Sequence, residues 1–365
     1  MHSILFVSSE VHSFIKTGGL ADVSASLPHA LAELGRDVRI LLPAYADVLA
    51  QTGPLDEETA WVDPVSGVPT RLLRAQLPDS PVPVWLLDAP GFSDRPGNPY
   101  LAADGSGHAD NAERFDRLAR AATAIAGGFA GLDWQPEVVH CNDWQTGLIP
   151  VHLLRNRIPA ASVFTIHNLR YQGIFAGHTY ANLRLPGWLW HSDGLEFYEH
   201  LSFMKGGLGF ADQLTTVSPT YAQEIQTPGQ GWELEGLLQA RSHDLHGILN
   251  GIDTRAWDPQ ADPHLPAGFH ADDLSGKTAC KHALQEEMGL EPDPGRPILA
   301  VISRLAEQKG IDLMLAAMER LLPRHGVQLA LLGSGEHHYE ATLGRLAELY
   351  PGRVGLRFGF AEGLA

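Results

Sequence analysis

"SILFVSSEVHSFIKTGGLADVSASLPHALAELGRDVRILLP", residues 3–43, contains the unit that decides the architecture. Its first eight residues are an apolar run with a polar end, and Asp37–Pro43 is a second apolar run. Between them Leu20, Val23, Leu27, Leu31 and Leu34 recur at intervals of three and four, which is one face of a helix. Gly35 is placed to stop that helix. Pro28 lies inside the pattern and is expected to kink the helix or shift its start. Strand, helix, strand at this spacing is a βαβ unit, and its right-handed crossover makes it half of a doubly wound sheet. Lys16-Thr17-Gly18-Gly19, just ahead of the helix, has two readings. Backbone amides and the helix dipole can approach an anion there, with Lys16 as a point charge; or the glycine pair is a plain turn.

Working outward, further strands are expected at "VPVWLLD" from Val82, "EVVHCN" from Glu137, "SVFTIHN" from Ser162 and "QLTTVS" from Gln213. Helices are expected around Asn111–Phe129 and Gly147–Asn156. Such alternation means an α/β fold with a parallel sheet. The stretch from Trp257, rich in Pro and Asp, reads as a linker or crossing segment. A second series follows it: strands at "RPILAVISR", "VQLALLGSG" and "RVGLRFGF", with helices between. A doubly wound domain ordinarily has five or six strands, so this second domain is expected to be incomplete at Ala365.

A chain of 365 residues suits two domains. With 44% hydrophobic and 19% charged residues it has a soluble, globular composition. No apolar run reaches membrane-spanning length, and no basic stretch precedes "SILFV" to suggest an export signal. Two cysteines, Cys141 and Cys280, give neither a disulfide framework nor metal-ligand spacing. A cytoplasmic setting is the expectation. The formal charge of −17 argues against nucleic-acid binding and requires local cations at any phosphate site.

Ligands of open α/β sheets bind beyond the carboxyl ends of the strands. Those places hold Lys16 to Gly19, Asp143 and Trp144, His167 and Asn168, Asn250, then Arg304 and Lys309, then Gly333-Ser334-Gly335. Each has a plain alternative. "HCNDW" reads equally as a buried structural His–Asp pair, "TIHN" as a satisfied core histidine, and "DRPGNPY" as a turn-rich loop. The "LLGSGE" turn matches a dinucleotide fingerprint only in part. Neither G-x-G-x-x-G nor the Walker pattern follows the first strand. No D-x-D, G-x-S-x-G or H-E-x-x-H is present, so any phosphate is expected to be held without metal or other cofactor.

As an ordered set, "KTGGLADV", "DRPGNPY", "HCNDWQTGL", "FTIHNLRYQG", "SFMKGGLGFADQLTTVSPTYAQEI", "GILNGID" and "SRLAEQKG" closely resembles the bacterial glycogen synthases and plant starch synthases that use ADP-glucose. The resemblance runs from the first strand to the last residue. It implies a glycosyltransferase B-type fold, two Rossmann-like doubly wound domains facing a cleft. The implied division is an N-terminal catalytic domain over residues 1–245, an interdomain segment over 246–275 and a partial nucleotide-sugar domain over 276–365. The implied reaction moves glucose from ADP-glucose to the non-reducing end of an α-1,4-glucan with retention.

By the same resemblance Lys16, Gly18 and Gly19 contact the donor phosphates, and Arg304 and Lys309 are the opposing contacts. His167 and Asp143 are the catalytic candidates. His167 is implied to line the glucose pocket beside an oxocarbenium-like centre, and Asp143 to offset charge at the ring or orient the acceptor hydroxyl. Tyr100 is implied to stack on the donor, Asn168 and Asn250 to contact substrate, and Asp22 to hold the loop or touch the acceptor. Gln145 and Glu233 depart from the pattern, where histidine and glycine are usual. A later Glu-Pro-Cys-Gly-Leu segment of the family has no counterpart, so a truncated synthase is expected. The other readings are a glucan-binding fragment using Trp144, and a transferase specific for UDP-glucose.

Overall fold

The computed structural model describes residues 2–78, 80–102 and 104–365. It divides into two compact units, one running to Ile252 and the other Asp253–Ala365. Fifteen strands occur among the described residues: β1 Ser3–Val7, β2 Asp37–Pro43, β3 Glu57–Val62, β4 Pro69–Gln76, β5 Pro83–Asp88, β6 Val138–Asn142, β7 Ala161–Ile166, β8 Ile174–Ala176, β9 Glu196–Phe197, β10 His200–Ser202, β11 Gln213–Thr216, β12 Leu245–Gly247, β13 Ile298–Ile302, β14 Gln328–Leu332 and β15 Val354–Arg357.

The first unit is built on a nine-stranded sheet in the order β12-β11-β7-β6-β1-β2-β5-β4-β3. All neighbours pair in parallel except at β5-β4 and β4-β3. β1 is central, with Leu5, Phe6 and Val7 wholly buried, as expected for a strand covered on both faces. The antiparallel arm β3-β4 was not foreseen from sequence. Its turn carries a local signal: the Asp63 carboxylate accepts the N–H groups of Val65 and Ser66, and Gly67 takes φ +72°.

Helix Gly19–Glu33 continues as one helix through Pro28, which has no N–H to give the Ser24 carbonyl. It ends as expected: Gly35 sits at φ +76°, its N–H bonds Ala32, and the N–H of Arg36 bonds Leu31, the paired closure of a left-handed cap. The buried stripe differs from the expected one. Ala21, Ser24 and Pro28 are buried while Leu34 is exposed, because small residues let the helix lie close to the end of β1. The Ser24 hydroxyl donates to Ser8 there at 2.8 Å.

The second unit is a parallel sheet, β13-β14-β15, with helices Gly276–Glu287, Ile311–Arg324 and His337–Leu349. Leu329, Leu331, Leu305, Ile311 and Leu343 form its core. β14, in the middle, is buried at every residue, whereas Leu299 and Ile302 on β13 are exposed. None of the helices in the described residues is long and apolar enough to cross a membrane.

Candidate functional site

β1 pairs with β2 on one edge and with β6 on the other. The chain winds one way from β1 to β2 and later returns to lay β6 along the opposite edge. A crevice therefore opens beyond the carboxyl ends of β1 and β6, the switch point of a doubly wound sheet. The residues delivered there are Ser8-Ser9-Glu10 and Asn142-Asp143.

Glu10, which sequence reasoning did not single out, organises the first loop. It is 3% exposed. Its carboxylate accepts the N–H groups of Thr17 and Gly18, the latter at 3.2 Å, and the Thr17 hydroxyl at 2.6 Å. The Tyr100 hydroxyl also donates to it. Two of the amides expected to meet an external anion are thus held by an internal one. The helix start beyond them is different. A Cβ built at Gly18 or Gly19 would meet nothing within 4 Å, and neither glycine needs a positive φ. Among the described residues no contact demands glycine at either place; bare backbone there gives an outside group close access. Lys16 flanks this opening and pairs with Asp22 at 2.9 Å.

Asp143 follows β6 in a conformation essentially reserved for glycine, φ +54°, ψ −177°, which costs about 1–3 kcal/mol. Its N–H still pairs with Thr165 O, and its carbonyl accepts the Thr146 N–H, so the bend joins a strand to a short 3-10 turn. The strained bend swings its carboxylate onto the loop after β7, where it accepts the His167 N–H at 2.8 Å and the Asn168 N–H at 3.4 Å. Burial lifts this carboxyl to about 7, opposed by those two N–H groups and assisted by the Glu10 charge.

The His167 ring is oriented by Asn142, also unforeseen. The Asn142 side-chain N–H₂ donates to Val7 O at 3.0 Å, which leaves its oxygen facing His167 Nε2 at 3.0 Å. Nε2 therefore carries the proton, and Nδ1 offers a lone pair. Burial, with the nearby His140, lowers the His167 ring to about 3, so it is neutral at physiological pH. With the ring neutral, Nδ1 can accept a hydrogen bond but has no proton to give.

The other predicted residues fall as follows. Asn168 O accepts the Tyr171 N–H, and its side-chain oxygen accepts the Arg170 N–H at 3.1 Å. Asn250 is exposed just beyond β12, on the same end of the sheet. Tyr100 reaches the site through Glu10 and Ser9, with its ring tilted against Phe115. Trp144 is not an open platform: Phe115, Phe175, Phe203 and Tyr100 surround it at centroid distances of 5.0, 5.8, 6.3 and 6.4 Å. Gln145 is buried.

In the second unit Arg304 follows β13, and Lys309 lies in the turn before Gly310, which caps helix Ile311–Arg324 at φ +67°. The "GSG" glycines there have a packing reason. A Cβ at Gly333 or Gly335 would strike the carbonyl of Ser303 or Leu305 at 1.9 and 2.2 Å. The turn is pressed against the segment that carries Arg304.

A doubly wound α/β unit with a crevice at its switch point belongs to the class of folds that place ligands beyond the carboxyl ends of their strands. The family model for the starch synthase catalytic domain matches residues 3–240. A glycogen synthase of Thioalkalivibrio sulfidiphilus is 53% identical over 363 residues, covering 99% of this chain and 75% of the relative. One of Cellvibrio japonicus is 52% identical over 365 residues, covering 100% and 76%. The catalytic domain of starch synthase IV from Arabidopsis thaliana, solved with ADP and acarbose bound, superposes with a TM-score of 0.85 at 29% identity, covering all of this chain and 75% of that one. The chain belongs to the starch synthase and glycogen synthase family of glycosyltransferases, and its architecture is the glycosyltransferase B-type fold of that family.

Proposed function

We propose that the protein transfers glucose from ADP-glucose to the non-reducing end of an α-1,4-glucan with retention, in glycogen synthesis in the cytoplasm. The observation that carries this reading is the side-chain-free main chain at Gly19, beside Lys16 and at the start of a 15-residue helix. The first amides of a helix and its positive end suit a pyrophosphate. The family membership, and the ADP and acarbose held by the starch synthase IV neighbour, support the donor and acceptor classes.

In this reading the pyrophosphate gains charge as the bond to the sugar breaks. Lys16 and the helix amides stabilise that charge. His167 presents a neutral Nδ1 lone pair to a sugar hydroxyl, and Asp143 holds the His167–Asn168 backbone in the geometry that places it. Asn250 and Tyr100 line the same end of the sheet.

The test is incorporation of radiolabelled glucose from ADP-glucose into glycogen, together with ADP binding, for the wild type and Gly19→Ala. Binding and incorporation that both fall in the variant support the assignment. Equal ADP binding by the two proteins overturns the phosphate role, and UDP-glucose used as well as ADP-glucose overturns the donor.

A further inference from the structure

Two exposed aromatic residues stand next to the His167 loop and have no part in the chemistry above. Tyr171 and Trp232 are 46% and 45% exposed. Both chain neighbours of Tyr171 reach Trp232. The Arg170 guanidinium lies over the indole, 5.5 Å from its centroid, and Gln172 Nε2 donates to the Trp232 carbonyl at 2.9 Å. Gln172 is buried, and its side-chain oxygen has no hydrogen-bond partner among the described residues. Trp232 and Glu233 both hold left-handed backbones, at φ +51° and +67°. Both conformations are strained outside glycine. A segment that had only to turn would be cheaper with glycine at both positions. The strain is retained where it lifts an indole out of the core and ties it to the catalytic loop.

We propose that Arg170, Tyr171 and Trp232 form a platform on which pyranose rings of the α-glucan acceptor stack, several sugars from the reacting end. This rests on the acceptor reading given above and extends it to a second point of contact. Aromatic faces suit the C–H faces of a pyranose, and the guanidinium N–H groups suit its hydroxyls. An uncharged glucan is not repelled by a chain of net charge −17. Tyr171 is four residues from His167, so their backbones lie at most about 14 Å apart, within reach of one short oligosaccharide. Trp144, the aromatic that the sequence offered for this role, is partly buried against other rings and less exposed than this pair. The exposed pair takes its place.

The experiment is calorimetric titration of the whole chain with maltose and with maltoheptaose. The variants are Trp232→Gly, which removes the ring and suits the left-handed backbone, Tyr171→Ala, and Trp232→Phe, which keeps a ring. The expected result is a loss of about tenfold or more in maltoheptaose affinity for the two ring deletions, maltose affinity unchanged, and most of the affinity retained by Trp232→Phe. Thermal melts establish that each variant is folded, and Tyr171→Ala decides the matter if Trp232→Gly is not. Ring deletions that leave maltoheptaose binding intact, or that weaken both sugars equally, overturn the platform while leaving the acceptor reading standing. A wild type that binds neither sugar overturns the acceptor reading itself, and the platform with it.

Discussion

The Asp143 carboxylate accepts the main-chain N–H of His167 at 2.8 Å, from a backbone conformation that only glycine adopts without strain. This one bond ties the end of β6 to the loop after β7. Geometry and charge at Asp143 can be separated by substitution. In Asp143→Asn the amide oxygen still accepts both N–H groups, so the melting temperature should hold. In Asp143→Ala two partly buried N–H groups lose their partner, which should cost about 1–3 kcal/mol. If the negative charge itself assists transfer, glucose incorporation by Asp143→Asn falls by about two orders of magnitude, the usual worth of one electrostatic group in an active site. Near-normal incorporation by the folded Asn variant would reduce Asp143 to a clamp.

Acid should weaken the protein through two histidines. Burial holds His140 down at about 4 and His167 at about 3, against an ordinary value of about 6.5. Below 6.5 the unfolded chain binds more protons at these sites. Their contribution is complete above that pH and is lost as the pH falls toward 4 and then 3. Asp143 acts in the opposite sense. Its folded value of about 7 exceeds the ordinary value of about 3.9, so its contribution declines as the pH rises from 4 to 7. Urea unfolding of Asp143→Asn should therefore show stability climbing more steeply between pH 5 and 7 than in the wild type. The His167 ring proton in an NMR titration should not move between pH 5 and 8; a midpoint near 6.5 would contradict its burial.

Glycine at position 19 should matter to ligand and not to fold. Gly19→Ala places a methyl in open space at the first turn of a helix. Stability should be unchanged or raised by up to about 1 kcal/mol. ADP affinity should drop about tenfold or more, the worth of one charge-assisted hydrogen bond. A melt and an ADP titration on the same sample check both halves.

Glu10 should matter to both. Glu10→Ala leaves the Thr17 and Gly18 amides and the Tyr100 hydroxyl without their shared acceptor. A loss of about 2–4 kcal/mol is expected, more than one buried hydrogen bond because several donors are orphaned together. Glu10→Gln should recover only part, since one side-chain oxygen becomes an N–H₂ facing donors. Equal stability of all three proteins in urea would show that the loop holds itself.

The stretch from Ser3 to Pro43 determined much by itself. A 3-to-4 spacing of leucines between two apolar runs, with a glycine at position 35, allows little besides a strand, a helix and a parallel strand, because local periodicity and capping act over a few residues. The ordered motifs likewise determined the family, and they put the Gly18–Gly19 loop, Asp143 and His167 at strand ends before any coordinates. The antiparallel arm β3-β4 was less legible, since short strands carry a weak periodic signal and only the Asp63–Gly67 turn marks it. Tertiary structure alone decided what those strand ends do. Glu10 takes up amides that the loop sequence offers to a ligand, Asn142 assigns the proton on His167, and Trp144 is half-buried among other rings while Trp232 is lifted out. Each of these depends on contacts between residues far apart in the chain. Burial, orientation and protonation are properties of such contacts, and no local pattern encodes them.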